Sequence, residues 1–164
     1  MKTKTLDDLF YALLQDVYYA EKQLLKTLPK LAKESTHAEL EKAFTDHHKE
    51  TKHQLERLEE VFEKIDRPAK GKKCEAILGI IEEGKEVIEE ADAGDVLDAG
   101  LIASAQAAEH YEIARYGTLC AWAKQLGRDD VAMLLHETLE EEKAADERLT
   151  WIAKGSVNQA ALAA

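Results

Sequence analysis

Residues 40–62 read LEKAFTDHHKETKHQLERLEEVF, and this stretch decides what kind of fold the chain adopts. Leu40, Phe44, His47, Thr51, Gln54 or Leu55, Leu58 and Phe62 recur at steps of three and four, the period of one face of an α-helix. The middle of that face is wrong for an ordinary core. Asp46-His47-His48-Lys49-Glu50 puts polar groups where leucine belongs, and Glu50-x-x-His53 sets a carboxylate and an imidazole on one side of the helix. A buried carboxylate is costly unless it is paired or bound to a metal.

The same interruption recurs outward in both directions. Before it, Leu6, Phe10, Leu13, Val17, Glu21, Leu24, Leu28 and Leu31 form one stripe, opened by a Thr5–Asp8 capping box. Pro29 inside this run predicts a kink or the start of the last turn. Thr36 and Glu39 read as the capping box of the second helix. Beyond it, a helix over about 95–125 carries Ile102, Ala105 or Gln106, Glu109, Ile113, Tyr116 and Cys120, with Asp95 as N-cap and Gly127 closing the end. A last helix over about 129–154 carries Leu134, Leu135, Thr138, Glu141, Ala145, Leu149 and Ile152. Its run Glu140-Glu141-Glu142 also reads as a solvated face, with Glu142 the second choice for the inward acid. Four helices with one inward acid each have the layout of a carboxylate-bridged dimetal site.

A shorter amphipathic helix, near 74–90, fills the connection between the second and third long helices, with Ile77, Ile80, Ile81, Gly84, Val87 and Ile88 inward. A connection that long lets the third long helix run parallel to the second. The expected organisation is one all-α bundle domain over 1–155 and a flexible tail over 156–164.

Composition agrees. The chain has 164 residues, 45% hydrophobic and 34% charged, with only 2 Pro and 8 Gly, which suits one all-helical domain with a real core. Its net charge of −11 repels phosphate backbones and anionic lipid, so neither nucleic acid nor membrane is an expected partner. No secretion leader and no membrane span are read in the sequence, and the expected location is cytoplasmic. Cys74 and Cys120 form no metal motif and read as reduced, buried thiols.

The acids therefore carry the chemistry. Glu50 and His53 would serve as ligands from the second helix, joined by Glu21, Glu109 and Glu141 from the others. Oxygen-rich ligation with one nitrogen suits iron or manganese better than zinc. His47, one turn before Glu50, is inward by phase, either as a partner to the ligands or as a half-buried helix histidine. Asp146 is placed to accept the outer N–H of His53, or to pair with Arg148 or Lys143. His110 points away from Glu109, and His136 lies off the stripe. The aromatics Tyr18, Tyr19, Tyr111, Tyr116, Trp122 and Trp151 read as core or interface.

The segments Asp16-Val17-Tyr18-Tyr19-Ala20-Glu21-Lys22-Gln23-Leu24, Glu50-Thr51-Lys52-His53-Gln54, Glu109-His110-Tyr111-Glu112-Ile113-Ala114 and Glu137-Thr138-Leu139-Glu140-Glu141-Glu142-Lys143 resemble the YciE/YciF family of small bacterial ferritin-like proteins. The likeness runs from about Thr5 to Ala153. It implies a ferritin-like four-helix bundle with one additional helix in the crossover, a homodimer and a link to stress responses. The wider superfamily places Glu on its first and third bundle helices and Glu-x-x-His on the second and fourth. Glu21, Glu50, His53 and Glu109 match that pattern. The fourth helix departs from it: with Glu141 as the acid, the histidine position holds Ala144. Glu112, three residues after Glu109, is the candidate replacement.

The leading functional expectation is a di-iron ferroxidase or oxidase, an oxidoreductase that reacts Fe(II) with oxygen or peroxide in the stress response. The cofactors would be two divalent ions, iron first and manganese second. A dimanganese peroxide-disproportionating enzyme keeps the same site. A non-catalytic metal-binding stress or interaction protein is the alternative from another class.

Overall fold

The computed structural model describes residues 3–164. Four long helices form the bundle: α1 (Leu6–Glu34), α2 (Ala38–Lys64), α4 (Asp95–Gln125) and α5 (Asp129–Ile152). The shorter α3 (Glu75–Glu90) lies in the crossover. A π-helical turn (Ala153–Val157) leads into a final short helix, α6 (Asn158–Ala163).

Each long helix buries one stripe whose steps alternate four and three. In α1 the stripe is Phe10, Leu14, Val17, Glu21, Leu24, Leu28 and Leu31. In α2 it is Leu40, Phe44, His47, Thr51, Gln54, Leu58 and Val61. In α4 it is Asp98, Ile102, Ala105, Glu109, Glu112, Tyr116, Leu119 and Ala123. In α5, Val131, Leu135, Thr138, Glu142, Leu149 and Ile152 follow the same beat. Such a heptad-like rhythm keeps the buried seam facing its neighbours along nearly parallel helices.

The tight connections make α1–α2 and α4–α5 antiparallel pairs. Arg57 reaches Thr138 and Glu141, and Arg148 reaches Asp46, so α2 and α5 are antiparallel as well. The crossover returns along the bundle. Tyr11 meets Pro68, Gln15 meets Lys70, and Cys74 meets Tyr111, while Gly100 at the opposite end of α4 faces Val87. α3 is therefore parallel to α1 and antiparallel to α4, which leaves α4 parallel to α2, as the long connection predicts.

The Thr5–Asp8 capping box at the start of α1 is formed in both directions. α1 continues through Pro29 to Glu34. The Thr36 box does not form: the N-cap of α2 is His37, and Thr36 instead gives its backbone N–H and hydroxyl to the buried carboxylate of Asp98 at 2.9 and 2.6 Å. That contact ties the α1–α2 turn to the start of α4. Gly94 (φ 137°) is the N-cap of α4 in place of Asp95, which sits in the first turn. Gly127, at φ 70°, makes the sharp turn into α5.

The tail expected over 156–164 has helical geometry. The chain stays helical through Ala163, and Val157 is buried against the upper core. No proline or turn pair breaks the sequence there, and Val157 has an apolar seat that rewards continuing.

Two large apolar clusters fill the ends of the bundle, and a smaller third one, Ala20, Leu24, Cys74, Ile77 and Ala108, seats α3 on α1 and α4. Of the large pair, one gathers Phe10, Leu14, Val17, Leu58, Phe62, Leu119 and Leu135; the other gathers Leu28, Leu31, Leu40, Phe44, Leu97, Leu101 and Leu149. Each such side chain contributes about 2 kcal/mol when fully buried. Between the two clusters lies a polar layer: Glu21, His47, Thr51, Gln54, Glu109, Glu112, Thr138 and Glu142, all buried.

Candidate metal centre

The polar layer exists because one heptad step on each helix carries a polar residue at the same height. α1 delivers Glu21, α2 delivers His47 and Gln54, α4 delivers both Glu109 and Glu112, and α5 delivers Glu142. Glu21 and Glu142 are completely inaccessible, and Glu112 and Glu109 nearly so. Ligand atoms of His47, Glu109, Glu112 and Glu142 all lie within 4.8 Å of one another. Nε2 of His47 is 3.3 Å from Glu109 and 3.5 Å from Glu142. Glu21 adjoins the group: after burial, its charge is the largest influence that raises the Glu112 carboxyl.

Neighbouring polar groups hold these side chains in place. Tyr116 donates its buried hydroxyl to Oε1 of Glu21. Gln54 donates Nε2 to Oε1 of Glu142 and, at 3.0 Å, to Glu141. Glu50 lies 3.2 Å from Nδ1 of His47. A carboxylate on one ring nitrogen fixes the tautomer and directs the other nitrogen inward, the usual support of a metal-binding imidazole. The Thr51 hydroxyl bonds back to the His47 carbonyl at 2.9 Å.

The electrostatics are unbalanced without a cation. Burial pushes the Glu21 carboxyl from 4.5 up to about 8, reinforced by the charge of Glu142. Burial also holds Glu109 and Glu112 well above the usual carboxylate range. For His47 burial acts downward, but Glu109, Glu142, Glu50 and Glu21 outweigh it and raise the ring to about 10. Glu50, more exposed, is lowered by its bond to that ring.

Four carboxylate oxygens in the layer have no hydrogen-bond partner: Oε2 of Glu21, Glu109 and Glu142, and Oε1 of Glu112. Buried polar atoms are rarely left so. Four acids and one imidazole gathered in one buried layer suit hard divalent ions of the iron or manganese type.

The sequence-based ligands fall into two groups. Glu21, Glu109 and Glu112 are in the layer. Glu50, His53 and Glu141 are not. Glu50 supports His47 from the half-exposed rim. The His53 side chain is 72% exposed and lies 3.2 Å from Glu56. Glu141 accepts two bonds of 3.0 Å from Arg57 at the bundle edge. Asp146 accepts from Gln106 and pairs with His110, so it does not serve His53.

The reason is helical phase. On α2 the alternating rhythm passes through 47, 51 and 54, which leaves 50 and 53 beside the seam. On α5 it runs 135, 138, 142, which selects Glu142 over Glu141. A strict seven-residue repeat read through the flanking leucines carries that signal. The Glu-x-x-His spacing does not.

Relatives share this architecture. Protein YciF of Escherichia coli (strain K12) is 50% identical over 162 residues, 98% of this chain and 98% of that one. The crystal structure of the E. coli stress protein YciF superposes with a TM-score of 0.91 at 50% identity, covering 95% of this chain and 99% of that chain. YcfI of Rhodopseudomonas palustris gives a TM-score of 0.87 at 49% identity, with 90% and 94% covered. Residues 5–162 match the family described as a domain of unknown function, DUF892. A match over almost the whole length, together with half-identity to YciF from end to end, makes this chain a member of the DUF892 family.

Proposed function

We propose that the protein is a di-iron ferroxidase or oxidase of the stress response, with Glu21, His47, Glu109, Glu112 and Glu142 as the metal-binding set. One observation carries the reading: the carboxylates of Glu109, Glu112 and Glu142 converge with one imidazole that Glu50 orients, and each of the three, like Glu21 beside them, has a buried oxygen without a partner. The E. coli relative is named a stress protein, which supports the setting. Action in the cytoplasm as a homodimer belongs to the same proposal.

Fe(II) would enter as substrate. Two Fe(II) each lose one electron and together reduce one molecule of oxygen or peroxide by two electrons. The chain does the rest. Its carboxylates stabilise the ferric product by charge. Tyr116 and Gln54 fix Glu21 and Glu142, so little reorganisation accompanies oxidation. The apolar layers above and below exclude water. Protons held by the buried acids leave as cations arrive, which makes loading pH-dependent.

The test is anaerobic Fe(II) titration of metal-free protein, followed by oxygen addition and absorbance. Saturation near about two ions per chain, with rapid oxidation lost in His47→Ala, is the expected result. Oxidation no faster than in buffer overturns the ferroxidase reading. The single imidazole favours one second reading, manganese with peroxide disproportionation. Native metal analysis and oxygen release from peroxide would reveal it. Protein that binds no metal and shows unchanged melting on metal addition would point to a non-catalytic stress protein.

A further inference from the structure

The deeper members of the buried set are closed to solvent. Glu21, Glu112 and Glu142 have no more than 1% of their surface exposed, and Tyr116, Gln54 and Leu58 seal one end of the layer. One side differs. A cavity of about 180 Å³ opens between α2, α4 and α5, and two members of the set, His47 and Glu109, lie on its wall. Its other lining includes Phe44, Leu149, Ala144, Ala145, Glu50, Glu141 and Arg148. The space follows from side-chain size. With Glu142 as the inward acid of α5, the residue three positions on is Ala145, which carries no side chain long enough to fill it.

The cavity's charges are arranged for a cation. Glu50 stands at the mouth with 49% of its side chain exposed, and bonds Nδ1 of His47 behind it. Glu109 lines the wall, and behind it the buried Oε2 of this carboxylate has no partner. Of the two basic side chains in the lining, His47 is paired with Glu50 and Glu109, and Arg148 is held by Asp46 at 3.1 Å. Asp46 also pairs with Lys42 and Lys49. One carboxylate thus draws three positive charges to the outside of α2. Glu141, the remaining acid, is occupied by Arg57.

We propose that this cavity is the path by which divalent cations reach the buried acids, that Glu50 is the outer carboxylate that receives them, and that Asp46 keeps Arg148 from blocking the mouth. The proposal rests on the metal-binding reading of the layer. A cation meets Glu50 first, then passes along Ala144 and Ala145 to Nε2 of His47 and Oε2 of Glu109. Acidic lining of a narrow, low-dielectric cleft raises the local cation concentration and the rate of capture. It adds little to final affinity, because the deeper carboxylates set that.

The distinction between rate and affinity gives the test. Metal-free protein is mixed with Co(II) in stopped flow, and the visible absorbance of protein-bound cobalt is followed beside equilibrium titration. Ala145→Leu and Ala144→Phe narrow the cavity from two positions, and the second, being surface-exposed, spares the fold. Glu50→Gln keeps an acceptor for His47 but removes the charge. Asp46→Asn frees Arg148. Each variant is expected to load slower by about tenfold or more with unchanged final stoichiometry. Added salt should slow the wild type more than Glu50→Gln.

Loading at the wild-type rate in both narrowed variants, with full capacity, overturns the path. Wild-type rates in Glu50→Gln and Asp46→Asn would remove their assigned roles. A wild-type protein that takes up no cobalt refutes the metal site itself, a result distinct from failure of the path.

Discussion

His47 and His53 lie two turns apart on the same helix, yet one is buried among carboxylates and the other is in solvent. That contrast can be tested directly. His47→Ala should reduce metal affinity by about tenfold or more, because it removes the only buried nitrogen of the set, whereas His53→Ala should leave affinity unchanged. Isothermal titration with Co(II) checks both. The adjacent acids of α5 make a second pair. Glu142→Gln should abolish high-affinity binding. Glu141→Gln should retain it, keep an acceptor for Gln54 and lose the partly exposed charge pairing with Arg57, at about 1 kcal/mol or less. The reverse ranking would restore the Glu50, His53 and Glu141 assignment. Residue identity along the stripes made Glu21, Glu109 and Glu112 legible from sequence. His47 reads as inward by phase but as a partner of Glu50 and His53, because the Glu-x-x-His spacing draws the ligand role to its neighbours. Glu142 is the second choice, because one residue turns a helix position by about 100° and a run of three glutamates gives no preference within itself.

At the scale of elements, the sequence was most readable where apolar periodicity is long. The four bundle helices and the crossover helix emerge near their predicted limits. The ends were less readable, because tertiary contacts override local caps: Thr36 serves Asp98 on α4 instead of starting α2. The tail is helical because Val157 finds a buried seat, a long-range fact that its alanine-rich neighbours do not announce. Truncation after Ile152 should therefore lower stability by about 1–3 kcal/mol, the scale of losing one buried aliphatic side chain, measured by urea unfolding. The α3–α4 contact makes another prediction. A Cβ at Gly100 would lie 2.5 Å from Cγ1 of Val87. Alanine gains about 1 kcal/mol of helix propensity, yet valine in a helix has one strongly preferred rotamer and yields poorly. Gly100→Ala should thus fail to stabilise, and adding Val87→Ala should recover the gain. A stabilised single variant would show that α3 is free to move away.

For the whole molecule, the polar layer divides the core into two apolar halves, and its acids set how stability responds to pH. The folded-state values are raised: Glu21 from 4.5 to about 8, and His47 from 6.5 to about 10. A raised value means that the folded form binds the proton more tightly, so the stability from each group is complete below its ordinary value and is lost as pH climbs through the folded value. Metal-free protein should therefore melt at progressively lower temperature from about pH 5 to pH 9. Bound divalent ions should flatten that decline by replacing the protons. A flat profile for metal-free protein would mean that the acids are not buried as charge-bearing neighbours.

The most direct measurement is anomalous X-ray diffraction at the iron edge from crystals loaded with Fe(II) without oxygen. Peaks between the two apolar halves, within bonding distance of Nε2 of His47 and of carboxylates from Glu21, Glu109, Glu112 and Glu142, are the predicted result. Absence of any peak there, or iron bound at the outer face by Glu50 and His53, would contradict the account.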